Sequence, residues 1–288
     1  MITSPTVLVL GAGSSAHVGY PLGSQLISEL CKLRGTPALD NLPDGWTSTE
    51  ANDFLTRLSR SAHYSIDAYL ETVPEQAALG KYLIARQLKT REVVDFLFPP
   101  NSTGSWYQYL LNVLLGEGGK GHFQPESLGI ITFNYDRSLE AYLHHALQNR
   151  LRIPADEAAA ALAELPIVHV HGMLGSYPQV PYVPSSDAEE LLAISRQIQI
   201  IPEIKDVSDG FCNGMFEQAH TMLKAAQRIF FLGFGFHSDN VRRFNFFSPE
   251  SMAGRYVKAT TTGMGTVEVA SLGKRMEPYG FPDDVNLW

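Results

Sequence analysis

The chain has 288 residues, enough for one large domain or two small ones around a sizeable apolar core. Its 44% hydrophobic and 18% charged residues are typical of a soluble globular protein, and a formal net charge of −8 argues against general nucleic-acid binding. No apolar run reaches the length of a membrane span, and the N-terminus lacks the pattern of a signal peptide. The two cysteines, Cys31 and Cys212, are too few for a four-cysteine zinc site and indicate a reducing compartment, so we expect a cytoplasmic protein.

The first predicted element is a buried strand that runs into a glycine turn. Residues 6–10 are continuously apolar, which predicts a strand covered on both faces, and Gly11 and Gly13 follow at once. Pro21 then opens a helix with leucines at 22, 26, 30 and 33 on one face. We expect this arrangement to point free backbone N–H groups and a helix N-terminus at one place, which suits a phosphate.

The same turn fits the dinucleotide fingerprint G-x-G-x-x-A, with Ala16 as its last residue. A dehydrogenase would next need a second strand that ends in an acid. Glu29 has about the right spacing but lies in the predicted helix, so hydride transfer loses support.

The middle of the chain is predicted to be helical. Its predicted helices are Asn52–Arg60, Ile66–Thr72, Gln76–Phe98 and Trp106–Leu115. We interpret residues 41–127 as a helical insertion into a core made of residues 1–40 and 128–288.

Strands and helices alternate in the rest of the chain. The predicted strands are Leu128–Phe133, Ile167–Val170, Arg228–Leu232, Arg255–Thr260 and Thr266–Ala270. The predicted helices are Ser138–Asn149, Ala155–Leu165, 187–197 and 212–227. This alternation indicates an α/β protein with a Rossmann-like parallel sheet flanked by helices.

Polar residues follow the predicted strands, where ligands of α/β sheets bind. Asn134 and Asp136 either project together into a cleft or cap the next helix. His169 and His171 alternate along a strand and so share a face; they are core residues, a metal pair without a third ligand, or a general base at His171. Gly233 and Gly235 let the backbone approach a ligand or simply turn.

Taken in order, these segments resemble the sirtuin family of NAD-consuming proteins. Gly11–Ser15 fits its Gly-Ala-Gly-x-Ser turn, and Gly19–Pro21 fits its Gly-x-Pro. Thr132–Asp136 keeps the Thr, Asn and Asp of its Thr-Gln-Asn-Ile-Asp motif, and His171-Gly172 fits its catalytic His-Gly. A glycine-rich ribose loop corresponds to residues 233–238.

The departures from that family are equally specific. Leu22-Gly23-Ser24 stands where sirtuin deacylases have Asp-Phe-Arg, and the four-cysteine zinc module is missing. The chain is therefore more similar to the zinc-free sirtuin-like domains of bacterial antiphage defence, which cleave NAD. Several of those carry a helical segment like Ser65–Leu70, which also fits an ordinary amphipathic helix.

The resemblance implies hydrolysis of the nicotinamide–ribose bond of NAD to ADP-ribose and nicotinamide, without zinc. Asn134 would position water or a ribose hydroxyl, His171 would act as the base, and Asp136 would hold the carboxamide. The residues that the resemblance assigns to NAD binding are Gly11, Ala12, Gly13, Ser15, Thr132, Gly233 and Ser238.

Two other functions remain open at this point, an NAD-dependent protein deacylase and a non-catalytic scaffold that binds NAD or ADP-ribose. The related defence proteins stay inactive until infection. By that resemblance we expect a homo-oligomer or a separate partner, such as an ATPase from a neighbouring gene, and no membrane or direct general nucleic-acid partner.

Overall fold

The computed structural model describes residues 2–99, 105–116, 122–200, 214–236, 241, 254–262 and 264–276. Within these ranges the chain forms a parallel five-stranded sheet flanked by helices, which confirms the predicted Rossmann-like α/β fold. The strands are β1 (Thr6–Leu10), β2 (Leu128–Thr132), β3 (Ile167–His169), β4 (Arg228–Leu232) and β5 (Tyr256–Ala259).

The strand order is β3-β2-β1-β4-β5. Strands β2 and β3 are therefore added on one side of β1, and β4 and β5 on the other. Thr6 pairs with Leu128 of β2 on one side and with Arg228 of β4 on the other. The loops that follow β1 and β4 therefore lie side by side at the carboxyl edge of the sheet. Such a switch point opens a crevice at the carboxyl edge of a parallel sheet, which is where ligands bind.

The sheet is covered on both faces, because β1 is buried at every position and is apolar from Val7 to Leu10. Leu8 and Leu10 belong to one core cluster, which they share with the helices of the middle of the chain. Val7 and Val9 belong to a second cluster on the opposite face. This alternation along one strand produces three layers, helices, sheet and helices.

The helices connect and follow the strands. Their bounds are α1 (Gly23–Cys31), α2 (Ser48–Arg60), α3 (Ile66–Thr72), α4 (Ala77–Lys89), α5 (Val94–Leu97), α6 (Trp106–Leu114), α7 (Ser138–Leu151), α8 (Ala155–Ala163), α9 (Ala188–Ser195), α10 (Gly214–Ala225) and α11 (Thr266–Met276). Helices α2 to α6 fall within residues 41–127, and they share one apolar cluster with α1, α7 and α9. The division into core and insertion stays a prediction.

The predicted single helix Gln76–Phe98 is wrong, because the chain breaks between α4 and α5. Glu92 lies in this break and forms a buried ion pair with Arg137, its Oε2 2.6 Å from Nη2. Lys89 at the end of α4 also pairs with Glu92, at 2.5 Å. A buried carboxylate needs such partners. The ion pair with Arg137 therefore stabilises Glu92 in the break, where the chain has left the path of α4.

The predicted strand Thr266–Ala270 is also wrong, because this segment begins α11. Glu268 accepts a hydrogen bond from the backbone N–H of Gly265 at 2.7 Å, and the N–H of Val269 donates to the Gly265 carbonyl at 3.0 Å. Val267 is 81% exposed, whereas Leu272 is buried. The alternation of β-branched residues predicts a strand, but burial follows the spacing of a helix.

Candidate functional site

A cavity of about 330 Å³ lies at the switch point of the sheet. The core contributes Gly11–Gly13 after β1, Phe133 and Asn134 after β2, His171 after β3, and Gly233–Gly235 after β4. The opposite wall comes from helices, with residues 22–24 at the start of α1 and Tyr64, Ser65, Asp67 and Ala68 around the start of α3. The structure therefore brings together residues that follow four of the strands, β1, β2, β3 and β4.

A smaller cavity of about 80 Å³ adjoins the first. Ser15, Tyr20, Tyr135 and Asp136 line the smaller cavity alone. Five residues line both cavities, and we call them the seam: Ala12, Gly23, Asp67, Phe133 and Asn134.

The glycines of the two loops allow the loops to touch. A Cβ at Gly11 would lie 2.6 Å from the Gly233 carbonyl oxygen, and one at Gly13 would lie 2.8 Å from the Cα of Gly233. Gly233 has a φ of +58°, and its Cβ would lie 2.1 Å from the Ser14 nitrogen. Any side chain at these positions would push the loops after β1 and β4 apart.

The N–H groups of Gly11 and Gly13 are not free, contrary to the prediction for a phosphate turn. They donate to the carbonyls of Leu232 and Gly233, each at 3.0 Å. Two 3-10 turns lie between Gly11 and α1. They are Ala12–Ser14, which contains Gly13, and Ala16–Val18. The glycines line the cavity mainly as a close-packed wall, and the helix N-terminus at the cavity is that of α1.

Asn134 joins the end of β2 to the glycine turn. Its Nδ2 donates to the Gly11 carbonyl at 3.1 Å and lies 3.2 and 3.1 Å from the hydroxyls of Ser14 and Ser15. Because a carbonyl only accepts, the amide nitrogen must face the turn. No hydrogen bond among the described residues engages the Oδ1 of Asn134, which leaves an acceptor at the seam.

Asp136 contacts the first residue of α7 and lines a cavity. Its Oδ1 accepts from the backbone N–H of Ser138 at 3.1 Å and from the Ser138 hydroxyl, although the N-cap position of α7 is Arg137. Its Oδ2 accepts from the Ser15 hydroxyl at 2.7 Å, and the side chain lines the smaller cavity. Burial raises the pKa of Asp136, against the hydrogen bonds from Ser138 and Ser15.

Helix α6 is hydrogen-bonded to the residues around Asp136 and Asn134. The Tyr107 hydroxyl lies 2.6 Å from the Ser138 hydroxyl, and the Trp106 indole donates to the Ser14 carbonyl at 2.7 Å. A continuous chain of hydrogen bonds thus connects α6 with the seam. It runs through Tyr107, Ser138, Asp136, Ser15 and Asn134.

His171 is buried beside the larger cavity and is held there through its backbone. Its carbonyl accepts from the Gln199 N–H at 2.8 Å. The following Gly172 has a φ of +72°, and a Cβ there would lie 1.9 Å from the Gln197 carbonyl oxygen. The position after His171 therefore requires glycine, because any side chain there would prevent the turn from packing against residues 197–199.

The imidazole of His171 differs from a satisfied core histidine. Its ring packs against Phe133, with centroids 5.5 Å apart, and its Nδ1 has no hydrogen-bond partner of ordinary geometry in the described part of the chain. Burial lowers the pKa of His171, while the charge of Asp67 and the backbone at Gln199 oppose this shift. The imidazole is thus neutral near pH 7 and able to accept a proton.

His169 is the satisfied core histidine of the pair. It ends β3, and its Nε2 lies 2.6 Å from Oε1 of Glu140 while its Nδ1 lies 3.0 Å from the Asn134 carbonyl. Burial lowers its pKa, but the charge and hydrogen bond of Glu140, the Asn134 carbonyl and the charge of Asp136 together leave the pKa raised. Because β3 ends at His169, strand alternation does not continue to His171, and the two rings have different neighbours.

Asp67 was missing from the predicted site residues. It lies in the first turn of α3, where the Ser65 hydroxyl accepts from the Ala68 N–H at 3.2 Å and caps the helix. The hydroxyl of Tyr135, which directly follows Asn134, donates to Asp67. In the sequence, the segment Ser65–Leu70 was singled out only by a resemblance. No local pattern predicted that Asp67 faces the seam.

Two predicted binding residues lie elsewhere. Thr132 lines neither cavity; its hydroxyl accepts from the N–H of Asn134 at 3.0 Å and so fixes the turn after β2. Ser238 lies outside the described residues. Across the described ranges, no group of three or more His, Cys, Asp or Glu residues is arranged to hold a metal ion.

The helices in the described part of the chain are all too short or too polar to cross a membrane. No family model matches the chain, and no curated protein is significantly similar to it.

Proposed function

We propose that this protein hydrolyses NAD at the bond between nicotinamide and ribose. The observation that carries the proposal is the convergence of Asn134, His171 and the two glycine loops on one cavity at the switch point. Their order along the chain is that of the sirtuin motifs. The glycine wall would border the diphosphate, and Gly233 would lie near the adenosine ribose.

The two cavities suit the two parts of such a substrate. We assign the nicotinamide to the smaller cavity, where Asp136 and the hydroxyls of Tyr20 and Ser15 offer hydrogen-bonding groups to a carboxamide. The ADP-ribose portion then occupies the larger cavity. The bond that breaks lies at the seam, beside Asn134.

The reaction needs a water molecule and a base. The water oxygen forms a bond to the ribose C1′, the C1′–N bond breaks with its electron pair on the nicotinamide nitrogen, and a water proton passes to His171. Nicotinamide leaves as a neutral molecule, so no general acid is required. Asn134 contributes by orienting the water with its Oδ1, and the neutral imidazole of His171 accepts the proton.

The biological role that we propose is depletion of NAD in the cytoplasm during antiphage defence. An NAD hydrolase without control would destroy its host, so we propose restraint by self-assembly or by a partner such as an ATPase. Light scattering coupled to size exclusion, with and without the product of the neighbouring gene, measures the assembly. A monomer under both conditions contradicts this part of the proposal.

One assay separates hydrolysis from the two other functions. Purified protein is incubated with NAD, with and without an acylated peptide, and nicotinamide and ADP-ribose are quantified. We expect both products without peptide. A need for peptide indicates a deacylase. Calorimetric binding of NAD without turnover, both with and without the product of the neighbouring gene, indicates a scaffold.

Asn134→Ala tests the site in the same assay. We expect turnover to fall by about 100-fold, because the water loses its orientation. Asn149→Ala, on the exposed face of α7, is the matched control and should keep full activity. Full turnover in Asn134→Ala, in a folded protein, would show that the site is placed wrongly.

A further inference from the structure

Asp67 is the one ionisable side chain among the five residues of the seam. The other four are alanine, glycine, phenylalanine and asparagine. No lysine or arginine is among the described residues that line either cavity. Asp67 is therefore the carboxylate at the seam itself, whereas Asp136 lies within the smaller cavity and accepts hydrogen bonds through both of its oxygens.

The contacts of Asp67 keep it at the seam as an acceptor. Ile66 and Tyr69 of the same helix are buried, which anchors α3 against the core. The Tyr135 hydroxyl donates to Oδ1 of Asp67, and a phenol donates in this way to a carboxylate. Asp67 itself is only half-buried, so the carboxylate still faces the cavity.

The chemistry of the proposed reaction places positive charge at this location. The nicotinamide ring of NAD is cationic, and as the C1′–N bond breaks, the charge moves onto the ribose. A fixed carboxylate stabilises that charge far better in a partly enclosed site than in water. Both products lack the charge, so the same carboxylate does not retain them.

We propose that Asp67 is a further catalytic residue, whose carboxylate stabilises the positive charge of the nicotinamide ring and of the ribose in the transition state. This inference rests on the proposed NAD hydrolysis. It also assigns a ligand preference to the site, for the oxidised dinucleotide, whose nicotinamide ring is cationic, over the reduced dinucleotide, whose ring is neutral.

Asp67→Asn tests the inference because it removes the charge and keeps the shape. Dissociation constants are measured by calorimetry for NAD⁺, NADH and ADP-ribose, together with kcat for hydrolysis. We expect the affinity for NAD⁺ to fall about tenfold, while those for NADH and ADP-ribose change by less than about twofold. We expect kcat to fall about 100-fold, since the charge of the transition state loses its partner.

Two variants accompany this experiment. Asp53→Asn removes an exposed carboxylate of α2 and should change none of the constants. Asp67→Glu keeps the charge and should retain the preference for NAD⁺ over NADH. Binding of ADP-ribose reports that the cavity of each variant is intact.

The possible failures are distinct. Equal losses for all three ligands, or no loss of kcat in Asp67→Asn, overturn the role of Asp67 while NAD hydrolysis stands. A wild-type protein that neither binds NAD⁺ nor releases nicotinamide overturns the proposed function, and the role of Asp67 with it.

Discussion

Two buried histidines at the end of β3 each have a carboxylate nearby, yet their pKa values shift in opposite directions. His169 contacts Glu140 directly, at 2.6 Å, and this ion pair raises its pKa against the effect of burial. His171 senses the charge of Asp67 without a hydrogen bond to it, and burial lowers its pKa. Direct contact with a carboxylate thus opposes the effect of burial on the pKa of an imidazole more strongly than a carboxylate at a distance does.

This difference separates the structural histidine from the chemical one. Both nitrogens of His169 are occupied, by Glu140 and by the Asn134 carbonyl, so its ring is fixed and has no capacity for a substrate. His171 keeps an unpartnered Nδ1 among the described residues and lines the cavity. We therefore expect their substitutions to have opposite consequences.

The largest expected effect is on activity, in His171→Ala. Loss of the base should lower kcat for NAD hydrolysis by about 100-fold or more. The free energy of unfolding should change by less than about 1 kcal/mol, because the lost ring packing is offset by removal of a buried, unpartnered nitrogen. Initial rates and urea denaturation measure the two quantities. His122→Ala, at an exposed position, is the control, and equal rates for all three proteins would remove His171 from the mechanism.

The reverse is expected of His169→Ala. This change leaves the carboxylate of Glu140, whose side chain is 13% exposed, without its partner, and we expect a loss of about 3 kcal/mol in the free energy of unfolding. Urea denaturation of His169→Ala, Glu140→Ala and the double variant gives the coupling energy. A coupling near zero would mean that the pair is not formed in solution.

The pH dependence of hydrolysis also tests the role of His171. His171 acts as a base only when neutral, and its pKa is lowered, so kcat/KM should be constant near pH 7 and decline only below about pH 6.5. Asp67 raises the pKa of His171, so the decline in Asp67→Asn should begin at a lower pH than in the wild type. A profile that declines above pH 7, or that moves upward in Asp67→Asn, contradicts this role.

The smallest expected effect concerns stability and pH at His169. Because its folded pKa is raised, the stabilisation from its charge is complete below the unfolded pKa and is lost as pH rises through the folded pKa. Glu140→Gln removes this contribution, so its deficit in the free energy of unfolding should be largest near pH 6 and shrink by about 1 kcal/mol at high pH. Urea denaturation at pH 6 and pH 9 measures it, and a constant deficit would show that His169 is not charged in the folded protein.

Much of the fold was predictable, because the signals that mark it are local. The apolar run of residues 6–10 is β1, and the segment Ile66–Thr72 is α3 with the bounds predicted. The two errors occur where a distant contact or a misleading pattern prevails. Glu92 leaves the helical path to reach Arg137, and the β-branched alternation at 266–270 belongs to a helix.

The candidate site was predicted less completely, since residue types do not reveal their neighbours. Asn134, Asp136 and His171 were identified because they follow buried strands, and the structure places all three at the cavities. Asp67 was not, because it lies on a helix 67 residues before Asn134 in the chain, and only packing of α3 against the strand ends brings the two together. Likewise, the glycines were expected to leave N–H groups free, but the loop after β4 occupies them.

The parallel α/β fold and the strand ends at which polar residues accumulate were predictable from the sequence, because apolar periodicity and glycine turns act over a few residues. Which of these residues contact one another, and how buried and charged they are, depends on the tertiary structure. His169 and His171 are the same residue type two positions apart, and only contacts with Glu140 on α7 and Asp67 on α3 distinguish them. Long-range contacts set burial and charge, and these two quantities determine whether a side chain stabilises the fold or is available for chemistry.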